Sequence, residues 1–408
     1  MPASLASEIA TPLCELDAGS VEYATRFVDL LLAAAWERRA SDVHLQPTAT
    51  GLAVSWRIDG VLQSVGHFPR GSASDVVARL KVLAGLLTYK SDVPQEGRLP
   101  ARGTGGEMRV STFPTLHGER GVVRLFAGER DFLQLADLGL PDELAAELSR
   151  RLEETSGAIL VSGPAGSGKT TTAYACLRHI ARVAAGRRGL VSLEDPVEME
   201  IESVAQSQIN PAAGFTFAVG LRSLMRQDPE VILVGEIRDR ETAAAAFQAA
   251  HTGHLVLSTF HAASAAGGIS RLIDMGIEPY LVRGGVRGVL NQRLARRLCS
   301  CAIPAADEGS FLGLPIVRAQ QAAGCEACTH TGYRGRLVLA ESLPLLVGDL
   351  GQAVLDRRDA QELSRLAARA GMTTLFDRAC QAAAAGQTDP AEIRRVLGFA
   401  DAGGAAME

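Results

Sequence analysis

The amino-acid sequence predicts an α/β protein built around a parallel sheet with helices on both faces. A small α+β domain precedes this sheet, and a cysteine-bearing and helical C-terminal region follows it. Three observations carry the prediction. From about residue 157, apolar runs alternate with helical patterns: "AILVSG", "TTAYACLRHIARVAA", "LVSLED", "VILVGE", "RETAAAAFQAAH" and "HLVLSTF". Near-continuous apolar strands between helices belong to parallel sheets buried on both sides. Upstream of residue 130 the strands are short and alternate, and after about residue 290 the pattern breaks into a segment holding four of the seven cysteines.

The chain has 408 residues, 47% apolar and 21% charged, which is enough core for two or three domains at ~150 residues each. In the first domain, "VEYATRFVDLLLAAAWERRA" places apolar residues at helical spacing, and "LAVSWRIDGVLQSV" reads as two strands around an Asp59-Gly60 turn. "LPARGTGGEMRVSTFPT" and "GVVRLFAG" add strands, with a glycine-rich turn at Gly103 to Gly106. "RDFLQLADLGLPDELAAELSRRL" is a helical lead-in to the sheet, and "PAEIRRVLGFA" closes the helical C-terminal region. The expected division is a tail (1–20), the α+β domain (21–130), a linker (131–137), the parallel-sheet domain (138–292), the four-cysteine module (293–340) and a helical subdomain (341–408).

Bulk properties exclude several function classes. A net charge of −5 gives no reason to expect whole-surface binding to nucleic acid. The longest early apolar run, "FVDLLLAAAW", is too short to span a bilayer, carries Asp29 and is followed by Glu37; it also lacks the basic start of a signal peptide. A cytoplasmic protein without a membrane segment of its own is expected. Seven cysteines in a chain this long do not suggest a secreted disulfide scaffold. Basic residues are nearly all arginine; the lysines are Lys81, Lys90 and Lys169.

Lys169 lies in "GPAGSGKT", which fits G-x-x-x-x-G-K-[ST] between a strand and a helix, as a phosphate loop requires. Gly163, Gly166 and Gly168 let the backbone curl so that its N–H groups face the phosphates at a helix N-terminus, and the expected nucleotide-binding stretch is Gly163, Pro164, Ala165, Gly166, Ser167, Gly168, Lys169, Thr170 and Thr171. Lys169 would reach the β and γ phosphates of ATP, and the Thr170 hydroxyl would bind Mg²⁺. A magnesium nucleotide site also needs acids at neighbouring strand ends. "VILVGEIRD" supplies Glu236, and "LVSLEDPVE" supplies Glu194, Asp195 and Glu198, any of which stands where a carboxylate polarises attacking water. Asp239 reads instead as a helix cap or loop charge. "HTGHLVLSTFHA" puts His254 before a strand and His261 just past its end, positions open to a phosphate-sensing imidazole or to an ordinary packing role.

Taken in order, these motifs, together with "LRSLMRQDPEVILVGEIRDRETAAAAFQAAHTGHLVLSTFHA" and "GGISRLIDMGIEPYLVRGGVRGVLNQRLARRLC", resemble the ATPases of type II secretion and type IV pilus assembly. In the first domain "RRASDVHLQP", "WRIDGVL", "QEGRLP" and "MRVSTFPTLHGERGVVRLF" are similar to that family's N-terminal domain. The resemblance runs from about residue 20 to residue 400. It implies a PAS-like domain joined to a RecA-like ATPase domain in a hexameric ring. It implies that Glu198 is the general base, that Glu236 is the second-motif acid near Mg²⁺, and that His254 and His261 form the histidine box. First-domain arginines, Arg109 and Arg120 ahead of Arg124, would complete a neighbour's site as arginine fingers. The implied work is assembly of a pilus or pseudopilus through an inner-membrane platform protein, with the ATPase peripheral at that membrane. Two departures stand out: the extra N-terminal docking domain of many secretion ATPases is expected to be missing, and "TFHAAS" lacks the usual Thr and Asn after the second histidine.

"RRLCSCAIP" and "AAGCEACTHTGYRGR" provide Cys299, Cys301, Cys325 and Cys328. Two close thiolate pairs separated by a loop fold around tetrahedral zinc. Related proteins with this module carry C-x-x-C twice, and the C-x-C bite here is shorter, so free structural thiols or a degenerate site stay open. Rival functions are a RecA-like DNA translocase, which needs a basic channel, a non-hydrolytic scaffold, and a pilus retraction motor, a group that normally lacks the four cysteines.

Overall fold

The computed structural model describes residues 11–71, 75–99, 108–125, 134–306 and 308–399. The Gly103–Gly106 turn, the start of the 131–137 linker and the first half of the tail lie outside the described residues. The chain forms two compact units: Met1–Asp131 with Cys299–Ala302 and Ala322–Gly335, and Phe132–Leu298 with Ile303–Gln321 and Arg336–Glu408.

In the first unit, helix α1 (Tyr23–Glu37) is followed by strands β1 (Asp42–Pro47), β2 (Leu52–Ile58) and β3 (Val61–Phe68), helix α2 (Val76–Leu83), and strands β4 (Gln95–Leu99), β5 (Met108–Thr115) and β6 (Gly118–Leu125). The strands form one antiparallel sheet in the order β3-β2-β1-β6-β5-β4. Alternation sends Val43, Leu45, Val54, Trp56, Val110 and Val123 to one face, where Tyr23, Phe27 and Leu31 of α1 and Val76, Val77 and Leu80 of α2 cover them. The fully buried Lys81 ties α2 to β6, donating to both Glu119 oxygens at 2.8 and 2.9 Å and to the Lys90 carbonyl at 2.7 Å.

In the second unit, helix α3 (Asp142–Leu152) leads into β7 (Gly157–Ser162), α4 (Lys169–Ala184), β8 (Leu190–Glu194), β9 (Ala205–Gln208), α5 (Phe217–Leu224), β10 (Val231–Val234), α6 (Arg240–His251) and β11 (Leu255–Phe260). Then come α7 (Ala265–Asp274), α8 (Pro279–Gly285), β12 (Val286–Leu298), β13 (Ile303–Pro304), β14 (Gln320–Gln321), β15 (Tyr333–Leu343), α9 (Gly348–Leu355), α10 (Ala360–Arg369), α11 (Leu375–Ala384) and α12 (Pro390–Leu397). The main sheet has the order β15-β12-β7-β11-β10-β8-β9, with β12 through β9 parallel. Every residue of β7, β10 and β11 is buried. Ile159, Leu233 and Leu257 pack against α3 and α4, while Leu160, Ile232 and Val256 pack against α6, α7, α9 and α10. Helices therefore cover both faces, as the apolar runs predict.

Strand β12 is not legible from its sequence. "VRGVLNQRLARRL" carries buried Asn291 and Gln292 where an inner strand is normally apolar. Those polar groups are tolerated because Ser162 at the end of β7, the Ser167 carbonyl on the loop that follows and Thr172 of α4 partner them.

Candidate active site

Because β7, β8, β10 and β11 run parallel, their C-terminal ends share one edge of the sheet, and the connections leaving the neighbouring strands β7 and β11 run in opposite directions, to β8 and to β12. That crevice is where open α/β sheets bind ligands. The loop after β7 occupies it. Gly163 has φ +148°, and a Cβ there would meet the Gln292 carbonyl and Ser167 Oγ, each at 2.5 Å. Gly168, at φ +85°, swings the chain into α4, so the helix N-terminus points at the crevice. Pro164, Ala165, Gly166 and Thr170 are exposed along the loop, Thr171 is half-buried and Ser167 is buried. Lys169 Nζ curls back to donate to the Pro164 carbonyl at 2.9 Å. Burial pulls the Lys169 pKa below that of an ordinary lysine, and Glu236 opposes the shift.

Strand β12 braces this loop. Gln292 Nε2 donates to the Ser167 carbonyl at 2.7 Å, and its Oε1 accepts from Thr172 Oγ1 at 3.0 Å. Asn291 Nδ2 donates to Ser162 Oγ at 2.8 Å. Sequence reasoning assigned no role to these residues; the one available signal was a pair of amides inside an otherwise apolar-spaced run.

Glu236 follows β10 and meets two neighbours. Arg238 Nε donates to its Oε2 at 2.8 Å, and His261 Nε2 lies 3.1 Å from its Oε1. Arg238 Nη1 also stands 4.0 Å from Asp195 Oδ2, so one guanidinium links the acids after β8 and β10. Burial, with Lys169 nearby, depresses the His261 pKa against the pull of Glu236, which favours a neutral ring. Neutral His261 donates from Nε2 to the carboxylate. Asp239 caps α6, accepting from the Thr242 N–H at 2.7 Å.

The three acids after β8 separate. Glu194 is buried and saturated: Tyr174 Oη and Ser192 Oγ donate to it, and Gln206 Nε2 donates at 3.0 Å. A carboxylate that is 3% exposed and already accepts three hydrogen bonds is closed to an attacking water, which argues against it as the base. Asp195 is exposed and faces Arg238. Glu198 is half-buried on the following loop, and its N–H donates to Tyr174 Oη at 3.1 Å.

His254 is not brought to the phosphate loop. It precedes β11, its carbonyl accepts from the Gly157 N–H at 3.1 Å, and its Nδ1 lies 3.0 Å from the Ala249 carbonyl. Gly157 begins β7 and the loop follows its end, so His254 and His261 sit at opposite ends of one strand. Sequence proximity concealed this because a whole strand separates the two rings.

In the first unit, Arg109 on β5 and Arg124 on β6 face each other across the strands, and the same row continues to Arg98 on β4 and to Asp42 and Arg57 on β1 and β2. Asp42 is buried and bonded by Arg124 Nε at 3.0 Å. Arg120 Nη2 lies 3.3 Å from His44 Nδ1. All of them belong to the face that α1 and α2 leave uncovered.

The cysteine sulfurs converge. Cys299 and Cys325 are 3.8 Å apart, Cys301 and Cys328 3.8 Å, and Cys325 and Cys328 3.7 Å, with all four sulfurs within 4.8 Å of one another. Tetrahedral thiolates at ~2.3 Å from zinc lie about 3.8 Å from each other, so the set fits that metal, whereas a disulfide needs about 2.05 Å. The C-x-C bite does not hold its sulfurs apart from the others. N–H groups of Cys325 and Gly332 donate to Cys328 Sγ at 3.1 and 3.2 Å.

A family model described as "Type II/IV secretion system protein" matches residues 17–395. The chain belongs to that family. It is similar to the Pseudomonas aeruginosa "Type II secretion system protein HxcR", 40% identical over 91% of this chain and 76% of that one. The Vibrio cholerae "Type II secretion system ATPase E" is 39% identical over 91% and 75%. The Thermus thermophilus "Type IV pilus assembly ATPase PilB" is 38% identical over 95% of this chain but 44% of its own length. Among solved structures, the Legionella pneumophila ATPase DotB aligns with TM-score 0.65 at 20% identity, covering 91% and 95%, which speaks for the fold alone. This member of the secretion family is an ATPase with a RecA-like second unit. None of its described helices is long and apolar enough to cross a membrane.

Proposed function

We propose that this secretion ATPase hydrolyses ATP in a hexameric ring and thereby drives assembly of a type II secretion pseudopilus or a type IV pilus through an inner-membrane platform protein. The observation that supports this most is the gathering of the phosphate loop, Glu236, His261 and the Glu198 loop on one sheet edge, in a chain about as similar to secretion ATPases as to a pilus assembly ATPase. Lys169 and the loop N–H groups would bind the phosphates. Thr170, exposed at the helix start, and Glu236 would hold Mg²⁺, which neutralises charge on the transferring phosphoryl group. Glu198 would accept a proton from the attacking water, and neutral His261 would fix the Glu236 carboxylate. Arg109 and Arg120 would enter a neighbouring subunit's site, and the cysteine cluster would hold zinc.

The purified chain should hydrolyse ATP in a Mg²⁺-dependent manner, elute as a hexamer with nucleotide, and carry one zinc by elemental analysis. A monomer at every concentration would remove the ring, and a zinc-free chain would remove the metal assignment. DNA-stimulated turnover would favour a translocase. A pilus retraction motor shares this fold, and loss of surface pili on deletion, rather than hyperpiliation, separates assembly from retraction.

A further inference from the structure

We propose that Tyr174 and Glu194 are positioning residues for hydrolysis, holding the Glu198 loop in register with the phosphate-loop helix. The inference rests on the assignment of Glu198 as the base. Both side chains are 3% exposed, one on α4 and one at the end of β8. Tyr174 Oη has a single proton, which it gives to Glu194, and its lone pair receives the Glu198 N–H. The direction of that chain is therefore fixed: Glu198 N–H to tyrosine oxygen, tyrosine proton to carboxylate.

A second side chain repeats the arrangement from β9. Gln206 Nε2 donates to Glu194 Oε1 at 3.0 Å and to the Met199 carbonyl at 3.1 Å, while its Oε1 accepts from the Ile201 N–H at 2.6 Å. Backbone groups of residues 198, 199 and 201 are thus tied to one buried carboxylate through two side chains. Arg178, one turn along α4, covers the Tyr174 ring at 5.8 Å and reaches Met199 Sδ at 2.8 Å.

Burying a carboxylate is costly, and well-packed apolar residues would stabilise the same volume at least as well. A fully satisfied polar network instead fixes one geometry. Tyr174 stands one helical turn beyond Thr170, so whatever orients α4 on the phosphates orients the Glu198 backbone with it. Burial, reinforced by Glu194, holds the phenol well above the usual tyrosine range, so it stays a donor.

The test is a kinetic cycle on the full-length chain with Tyr174→Phe, Glu198→Gln and the double variant. Tyr174→Phe keeps the ring and should lower kcat about tenfold with KM for ATP and fluorescent-ADP affinity unchanged, since the hydroxyl takes with it both the bond from the Glu198 N–H and the bond to Glu194. Glu198→Gln should lower kcat about 100- to 10,000-fold. The double variant should be no slower than Glu198→Gln alone, because Tyr174 acts only through that residue. Wild-type kcat in Tyr174→Phe, additive losses in the double variant, or a parallel loss of ADP affinity overturns the positioning role. Wild-type turnover in Glu198→Gln overturns the base assignment instead. Gln206→Met, which cuts the same loop from β9, serves if Tyr174→Phe fails to fold and should show the same kcat loss and non-additivity.

Discussion

The two sheets of this molecule use their side chains in opposite ways. In the antiparallel sheet, one face is covered by α1 and α2, and chemistry is available only across the other, where Arg98, Arg109, Arg124 and Arg57 form a row around Asp42. In the parallel sheet both faces are covered, so no side chain along β7, β10 or β11 is free for chemistry. Groups open to a ligand gather instead at the strand ends, where Lys169, Glu236 and His261 stand. An alternating sheet offers a surface; a doubly covered sheet offers an edge.

This contrast can be broken most sharply from the antiparallel side. Arg109→Ala should lower turnover of the assembled ring about a thousandfold, the scale of an arginine finger, while thermal stability stays within about 0.5 kcal/mol. Unchanged turnover would leave the exposed face without a role in hydrolysis. On the covered face, Glu119→Ala strands the buried Lys81 ammonium and should cost about 3–5 kcal/mol of stability in the first unit. Chemical denaturation followed by Trp fluorescence reports it, since Trp56 is in that core. A smaller cost would mean that water reaches the ammonium.

The smallest effect is one of pH. His44, His179 and His261 all have pKa values depressed chiefly by burial. Below their ordinary value of about 6.5 the unfolded chain therefore binds protons that the native chain refuses, and stability falls as pH falls. A modest drop in Tm between pH 7 and pH 5.5 is expected, reduced in His44→Gln. A Tm that rises on acidification would reverse the sign and contradict those environments.

The parallel sheet was legible because burial on both faces writes itself as unbroken apolar runs, as in "VILV" and "LVLSTF". The phosphate loop was legible because glycine and lysine spacing has a single backbone solution. Strand β12 was hidden, since Asn291 and Gln292 answer to Ser162, Ser167 and Thr172, more than a hundred positions earlier. Glu194 and Glu198 looked alike in "LEDPVE", and only the donors supplied by Tyr174, Ser192 and Gln206 tell them apart. His254 and His261 looked like a pair, and the strand between them places them at opposite ends.

The most direct test of a hydrolytic site on the strand-end edge is steady-state ATP turnover by Glu236→Gln, with Lys169→Ala beside it. Glu236→Gln keeps the shape of a side chain bonded to Arg238 and His261 while removing its charge. Both variants should melt with the wild type and show no turnover. Full turnover in the folded Glu236→Gln chain would place the chemistry somewhere other than this edge.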